Sequence, residues 1–466
     1  MKKTYSRILA GILAAASVVS LSACSDSGDG TTDATTAEST TTTAKTEWTG
    51  DNIEVTVAED AVNTDINIEG KTLKWMGFYD LNPTNDNPER SPEVAIFEDT
   101  YGAKIEYIPT TTDQQYNDLA TAVLGGSSPD IFVYDFRAFP YDISKGMYQP
   151  IDSIVDWNDP LWADVKDAAD NFVWNGEHYV APFSYRFDDY VILMYNRTTV
   201  EEMGVDDPYE LYLENKWDWD AFINIMDEFQ GGDENLYGIS GFWANSFVYT
   251  AGDVMVNYDG SKFSNNLYSA NIEKAQHVIS DMFGRGLIKR GWVGPEAAFP
   301  SNDCLFYAMG TWAYNSAAES MPDDVIQIVP FPRNPDLDDY YMNKVLFSHM
   351  WVKGSDNADC VKVWFDINRM VNSEEQYLKI KKEKYLANNT AWTSDMYDLV
   401  YSFNDDEKFI APYEFGLGIS EAMQGDSGYI RFLYECIYNE QYESWEQARE
   451  EYMNIIDSEL AIYNDN

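Results

Sequence analysis

The feature that most constrains the fold of this 466-residue chain is an alternation of short apolar runs and amphipathic helices near its start. Ser91 followed by Pro92 is typical of a helix N-cap and first helical residue, and Gly102 provides the stop. The predicted order is strand, helix, strand, helix, strand, over Lys71–Phe78, Pro92–Tyr101, Ala103–Ile108, Tyr116–Val123 and Ile131–Tyr134. This order requires right-handed crossovers and predicts a parallel sheet buried on both faces, so the fold class is α/β.

A change of pattern around residues 179–195 indicates that the chain crosses into a second lobe. Two strand-like runs, His178–Pro182 and Tyr190–Tyr195, lie close together there. The segment beyond them carries more helices, and Ser444 with Gln447 forms a capping box before the last one. The other predicted helices begin at Asp218, near Ile272 and near Asp359. The sequence therefore predicts two lobes, with the later one richer in helix.

The first residues have the order of a secretory signal. Basic residues precede the apolar run Ile8–Ala23, which is short for a membrane span and ends before Cys24. The tetrapeptide 21–24 resembles the bacterial lipobox, so we expect a signal peptide over 1–23 and lipidation of Cys24. The alternative is an ordinary signal peptide with a chance cysteine. The following segment, 24–68, is rich in Thr and Ser, and its composition predicts a disordered tether.

Charge and cysteine content narrow the function classes. A formal net charge of −48 disfavours nucleic acid and anionic lipid surfaces and favours a soluble monomer, but it does not indicate a substrate. The remaining cysteines, Cys304, Cys360 and Cys436, are widely spaced, so the sequence predicts no disulfide framework and leaves one disulfide open. Three scattered histidines form no metal-binding pattern, and we therefore predict no metal site and no cofactor.

Several motifs, in order, carry a resemblance to a known family. They are Phe97-Glu98 with Gly102 and Ile105, then Gly125-Gly126-Ser127-Ser128-Pro129-Asp130-Ile131, Gly176 to Pro182, Met194-Tyr195-Asn196-Arg197, Trp217 to Phe222, Ala308-Met309-Gly310-Thr311-Trp312, and Val352-Lys353-Gly354-Ser355. Together they resemble the extracellular solute-binding proteins of the maltose-binding-protein type. Arg197 and Lys216 depart from the family pattern, which has Lys and Thr there.

The resemblance implies a type II periplasmic-binding-protein-like fold, with a hinge and a cleft between two lobes. It implies crossings near Ser184, near Ser301 and near His349. The expected N-lobe is 69–184 plus 301–348, and the expected C-lobe is 185–300 plus 349–466. Because open α/β sheets bind ligands beyond the carboxyl ends of their strands, the cleft should be lined by the loops that follow those strands.

A neutral sugar is held by aromatic rings against its faces and by carboxylates, amides and arginine around its edge. Residues of these types stand where the resemblance places the cleft. The candidate ligand-binding residues are Phe78, Tyr79, Asp80, Tyr134, Asp135, Arg137, Tyr185, Arg186, Asp188, Phe242, Trp243, Trp312, His349 and Trp351. The alternative for the aromatic residues is a place in the core, and for the charged residues an ion pair that bridges the lobes.

The resemblance implies a substrate-binding component of an ABC importer that captures a carbohydrate, expected to be an oligosaccharide, and delivers it to a membrane permease. It would act by hinge closure at the extracellular face of a bacterial cytoplasmic membrane, without enzymatic activity. The alternatives are a lipid-anchored glycoside hydrolase, a surface carbohydrate-adhesion protein, or the same fold with a polyamine, peptide or metal ligand. The sequence shows no nucleophile elbow, phosphate loop or zinc-spaced histidines.

Overall fold

The computed structural model describes residues 66–85, 90–425 and 427–464. The predicted signal peptide, Cys24 and nearly all of the Thr-rich segment lie outside these residues. Among the residues that the structure describes, no helix is long and apolar enough to cross a membrane.

The described chain alternates strands and helices along most of its length. The strands are β1 Thr72–Gly77, β2 Lys104–Pro109, β3 Ile131–Val133, β4 Val173–Trp174, β5 Glu177–His178, β6 Ser184–Tyr185, β7 Val191–Asn196, β8 Tyr237–Gly241, β9 Val256–Tyr258, β10 Phe263–Asn265, β11 Cys304–Gly310, β12 Ile326–Val329, β13 Tyr340–Tyr341, β14 Leu346–Phe347, β15 His349–Trp351 and β16 Phe409–Ile410. The helices are α1 Pro92–Asp99, α2 Gln115–Leu124, α3 Tyr141–Ser144, α4 Lys166–Asp170, α5 Arg197–Met203, α6 Pro208–Leu213, α7 Trp219–Gln230, α8 Ala244–Tyr249, α9 Ala270–Gly284, α10 Tyr314–Glu319, α11 Ala358–Val371, α12 Glu375–Asn388, α13 Ser394–Tyr401, α14 Tyr429–Glu435 and α15 Trp445–Asn464.

The first lobe is built on a four-stranded sheet in the order β15-β3-β1-β2. Strand β1 pairs in parallel with β2 and with β3, so the predicted parallel sheet is confirmed. Strand β15 closes one edge by pairing antiparallel with β3, from His349 opposite Val133 to Trp351 opposite Ile131. The predicted α1 is also confirmed, since Ser91 Oγ accepts a hydrogen bond from the Val94 amide at 3.3 Å.

The second lobe is built on a sheet in the order β12-β7-β11-β8. Strand β7 runs antiparallel to both β11 and β12, and β8 runs parallel to β11. Every residue of β11 is buried, as expected for a central strand covered on both faces.

The strand pairing corrects the predicted division between the lobes. The segment 301–348 was expected in the N-lobe, but β11 and β12 lie in the second sheet, so the chain does not leave that lobe near Ser301. The segment from His349 was expected in the C-lobe, but β15 lies in the first sheet. Helix α11 follows it there, where Trp364 packs edge-on against Phe97 at 5.4 Å. An apolar run identifies a buried strand, but only long-range hydrogen bonds decide which sheet that strand joins.

Two short strands carry the chain between the lobes. Strand β6 pairs antiparallel with β14, with Leu346 opposite Tyr185 and Phe347 opposite Ser184. Strand β6 lies on the stretch of chain between β3 of the first sheet and β7 of the second. The crossing near His349 is present in the reverse direction, from the second lobe to the first.

Aromatic rings also join the lobes away from these two strands. Phe139, whose loop follows the first sheet, packs at 5.4 Å from Tyr258 and at 5.7 Å from Phe415. Phe172 packs at 5.1 Å from Tyr413. These contacts bring Tyr258 and the C-terminal residues Tyr413 and Phe415 against the first lobe.

Candidate ligand-binding site

The candidate site lies where the loops after β1 and β3 of the first sheet meet the crossing segment and the loop after β11 of the second sheet. Tertiary contacts tie the crossing segment to both neighbours. Arg186 donates to the Tyr134 carbonyl at 3.1 Å, and the Thr311 amide donates to the Tyr190 carbonyl at 3.0 Å. This is the position at the carboxyl ends of strands where open α/β sheets bind ligands.

Arg186 is the central charged residue of the site. Besides its bond to the Tyr134 carbonyl, its Nη1 lies 3.5 Å from Asp189. Its Nε is buried and has no hydrogen-bond partner within the described part of the protein. Burial raises the pKa of Tyr79 and of Asp135, and the charge of the Arg186 guanidinium opposes the rise in both. Arg186 therefore connects the crossing segment to the loop that follows β3.

Asp135 directly follows β3 and caps a short 3₁₀ turn by accepting from the Arg137 amide at 2.9 Å. Burial raises the pKa of its carboxyl group to about 7, and the charge of Asp142 adds to the rise. The Arg137 amide and the Arg186 charge oppose it. A carboxyl group that titrates near neutral pH can donate as well as accept a hydrogen bond, which suits a hydroxyl-bearing ligand.

The loop after β1 presents two aromatic rings to solvent. Phe78 and Tyr79 are 37% and 38% exposed, and their ring centres are 5.1 Å apart. Trp75 holds the loop by donating its indole N–H to the Tyr79 carbonyl at 2.9 Å. Asp80 shapes the loop, because its carboxylate accepts from both the backbone and the side-chain amide of Asn82 at 2.9 Å.

The second lobe contributes Trp312, which is 54% exposed. Its neighbour Thr311 fixes the loop by donating its hydroxyl to the Phe187 carbonyl at 2.8 Å. Asp188 follows Phe187, and its backbone carbonyl lies near Gly310, beside the Trp312 indole. Although Asp188 has accessible surface, protein atoms around its carboxyl group raise its pKa, and the charge of Asp189 raises it further.

The candidate Tyr134 is only 2% exposed. Three further candidate aromatic residues lie in the core. Trp243 is 2% exposed and packs at 5.1 Å from Tyr438, and Trp351 is buried in β15. His349 is buried, accepts from the Trp364 indole at 2.9 Å, and has its pKa lowered to about 3 by burial and by Arg186. Burial contradicts the prediction that these three contact a ligand, because a side chain without accessible surface offers no face for packing.

Arg137, Tyr185 and Phe242 take part in contacts with the C-terminal segment. The Arg137 guanidinium lies 3.3 Å from Glu421 and also pairs with Asp142 at 3.2 Å. The Tyr185 hydroxyl donates to Asp406 at 3.0 Å and lies 3.0 Å from the Tyr413 hydroxyl. The Phe242 ring lies 4.8 Å from the Arg431 guanidinium carbon. Bridging contacts were the stated alternative for Arg137, and they are present.

A small pocket opens beside the site, and Tyr134 is the one residue of its lining that the sequence indicated. Lys344, which precedes β14, is buried there and pairs with Asp406 at 2.5 Å. Burial lowers the pKa of its ammonium group, and Asp406 opposes the shift. The remaining lining residues are Tyr134, Phe136, Phe139, Phe172, Asn343, Leu346, Tyr413, Glu414, Phe415 and Gly418. No local motif marks Lys344 or Tyr413, because the pocket forms only when β14 and the C-terminal segment come together.

Trp292 is a further candidate that the sequence could have revealed. It is 72% exposed and stands directly after Gly291, just as Trp312 follows a Gly-Thr turn. Ile288 pairs in parallel with Ile239 of β8, so this segment leaves the second sheet toward the same edge as Phe242. The sequence signal for Trp292 was a tryptophan that follows a glycine at the end of an apolar run.

Comparison with solved structures shows which known proteins share this two-lobed fold. An ABC substrate-binding protein from Listeria monocytogenes, solved in complex with cycloalternan, has a TM-score of 0.58 at 16% identity, covering 83% of this chain and 98% of that one. The cyclic α-maltosyl-1,6-maltose binding protein from Arthrobacter globiformis has a TM-score of 0.61 at 14% identity, covering 85% and 100%. The sugar-binding protein MalE from Xanthomonas citri has a TM-score of 0.57 at 16% identity, covering 84% and 97%. This chain therefore has the two-lobed fold of ABC solute-binding proteins.

The family assignment rests on sequence. The profile of the bacterial extracellular solute-binding protein family matches residues 86–367, more than half of the chain. The chain belongs to this family, as the motifs predicted. Among curated proteins, none matches it significantly in sequence.

Proposed function

We propose that the protein is the substrate-binding component of an ABC importer and that it captures a carbohydrate in the cleft between its lobes. The observation that carries the proposal is the exposed Trp312 ring on one lobe and the exposed Phe78 and Tyr79 rings on the other, with Arg186 on the segment that joins the lobes. Aromatic faces pack on the C–H faces of a sugar ring, and the charged groups bond its hydroxyls. The three similar structures named above are all sugar-binding or ABC substrate-binding proteins, which supports the same class.

Capture would proceed by hinge closure about β6 and β14. A ligand that contacts both lobes only when they are close shifts the population toward the closed form. Arg186 is suited to couple ligand binding to closure of the lobes, because it lies on the crossing segment and bonds to the first lobe. The permease would then bind the closed pair of lobe faces.

The cellular setting belongs to the same proposal. A signal peptide over 1–23 and a lipid on Cys24 would hold a monomeric protein at the extracellular face of the membrane, with the Thr-rich segment as a tether. The protein would act without catalysing a reaction. Mass spectrometry of the membrane fraction tests the anchor, because a diacylated N-terminal Cys24 is expected and an unmodified peptide from that position would contradict it.

A thermal-shift screen of the purified protein tests the substrate class. The panel contains maltose, maltotetraose, xylotetraose and cellotetraose, with spermidine and a tetra-alanine peptide as non-sugar ligands. A ligand that binds the native state raises the melting temperature by mass action. We expect a rise with one class of sugar and unchanged sugar on chromatographic analysis afterwards.

The screen separates the alternatives. A rise with spermidine alone would favour a polyamine ligand, which Asp135 and Asp188 could hold as carboxylates. Cleavage of an oligosaccharide would favour a hydrolase. Identical X-ray scattering dimensions with and without a ligand that binds would count against hinge closure.

A further inference from the structure

A cluster of metal-ligating side chains lies between α9 and α15, outside the cleft. Glu273 and His277 are four residues apart on α9, so they share one face of that helix. Glu446 stands in the first turn of α15, and its Oε1 lies 2.7 Å from His277 Nε2. One ligand atom from each of the three residues lies within 4.8 Å of the others. We propose that Glu273, His277 and Glu446 form a binding site for a divalent cation of borderline softness, such as Zn²⁺.

The donor set and its geometry fit such an ion. Imidazole nitrogen and carboxylate oxygen bind Zn²⁺ at about 2.0–2.2 Å, which places tetrahedral ligand atoms roughly 3.4 Å apart. The His277–Glu446 pair is closer than that value, and all three ligand atoms lie within 4.8 Å of one another, so small side-chain adjustments would be needed to reach tetrahedral spacing. Three protein ligands leave the fourth position to water.

The site requires one exchange of partners. The Arg449 guanidinium pairs with Glu273 and lies 4.3 Å from the ring centre of Tyr268. The ion would share or replace Arg449 at Glu273, which lowers its affinity relative to a site with free ligands. Glu446 and His277 both have accessible surface, so the ion has a path from solvent.

The other two histidines show why the geometry selects His277. His178 also contacts two carboxylates, but Asp152 lies at its Nδ1 and Asp170 at its Nε2. Carboxylates at opposite nitrogens lie on opposite sides of the ring and cannot share one ion. His349 is buried among aromatic rings. His178 therefore serves as the matched control for His277.

A bound ion would link α15, the C-terminal helix, to α9 of the second lobe. The three proposed ligands lie on α9 and α15, and none of them is among the candidate cleft residues, so the ion would act on stability and not on ligand contact. The proposal does not rest on the nature of the cleft ligand. It also explains why sequence patterns gave no metal signal, since Glu446 is 169 residues from His277.

Isothermal titration of ZnCl₂ into the purified full protein, prepared without a histidine tag, tests the site near neutral pH. We expect the wild type to bind one Zn²⁺ per chain. In both H277Q and E446Q, the affinity for Zn²⁺ should fall by roughly tenfold or more. The glutamine of H277Q keeps a side-chain donor for Glu446 while removing the imidazole. The H178Q variant should bind Zn²⁺ as the wild type does.

A second readout separates binding from folding. Zn²⁺ should raise the melting temperature of the wild type and of H178Q but not that of H277Q. If E446Q fails to fold, E273Q takes its place, because it removes a different ligand from the same site. Equal Zn²⁺ affinity in the wild type and H277Q, or no saturable binding by the wild type, would overturn the proposal.

Discussion

Two loops at the same edge of the second sheet begin alike and end differently. The loop after β8 reads Gly241-Phe242-Trp243, and the loop after β11 reads Gly310-Thr311-Trp312. Trp243 is 2% exposed and Trp312 is 54% exposed. The same local signal, a glycine followed two residues later by tryptophan, therefore leads to a core residue in one loop and a candidate ligand platform in the other.

The difference arises from what each loop contacts next. After Trp243 the chain turns directly into α8, whose Tyr249 packs at 5.5 Å from Tyr434 of α14, and Tyr438 covers the tryptophan. After Gly310 a 3₁₀ turn buries Thr311 and Ala313 against the crossing segment and leaves the residue between them outward. The comparison shows that a helix packed from the far end of the chain decides whether a loop aromatic is available to a ligand.

The largest loss of unfolding free energy should come from truncating the buried Trp243. Replacing Trp243 with Ala removes a large side chain that is packed on Tyr438, and such changes typically cost about 3–5 kcal/mol of unfolding free energy. Urea unfolding followed by circular dichroism measures it. The matched variant W312A should change the unfolding free energy by less than about 0.5 kcal/mol, because its side chain is mostly in solvent. Equal losses in both variants would break the comparison.

The two glycines should respond differently to Ala. Gly241 has φ +86°, and a Cβ there would overlap the Ala308 carbonyl oxygen, so G241A should cost about 2 kcal/mol or more in urea unfolding. Gly310 has an ordinary φ of −57°, and a Cβ there would overlap only the exposed Trp312 indole, with the Asp188 carbonyl oxygen next at 3.2 Å. G310A should therefore retain most of the stability and shift Trp312 instead. A G241A protein as stable as G310A would show that the first loop relaxes at little cost.

The smallest effect on stability should accompany a clear effect on binding. With the sugar identified by the thermal-shift screen, W312A should bind roughly tenfold to hundredfold more weakly in isothermal titration, from lost apolar burial and ring packing. Y268A is the matched control, because Tyr268 is an exposed aromatic residue that lies beside Arg449 of α15. Unchanged affinity in W312A would remove Trp312 from the site and leave Trp292 as the candidate on that edge.

The candidate site was partly accessible to sequence reasoning. The residues after β1 and β3 were predicted because strand ends are local features, and they stay candidates for ligand contact. The buried aromatic residues Trp243 and His349 were mistaken for ligand contacts, since exposure depends on partners far along the chain. Lys344 and Tyr413 were missed for the same reason.

The sequence by itself determined the local elements, the parallel core of the first sheet and the family. Caps such as Ser91 and alternating apolar runs act over a few residues, so they can be recognised without coordinates. The tertiary structure alone decided that β11 and β12 belong to the second sheet, that β15 returns to the first, and which aromatic rings face the cleft. Strand partners and burial are set by hydrogen bonds and packing between segments far apart in sequence, and a local pattern carries no information about those contacts.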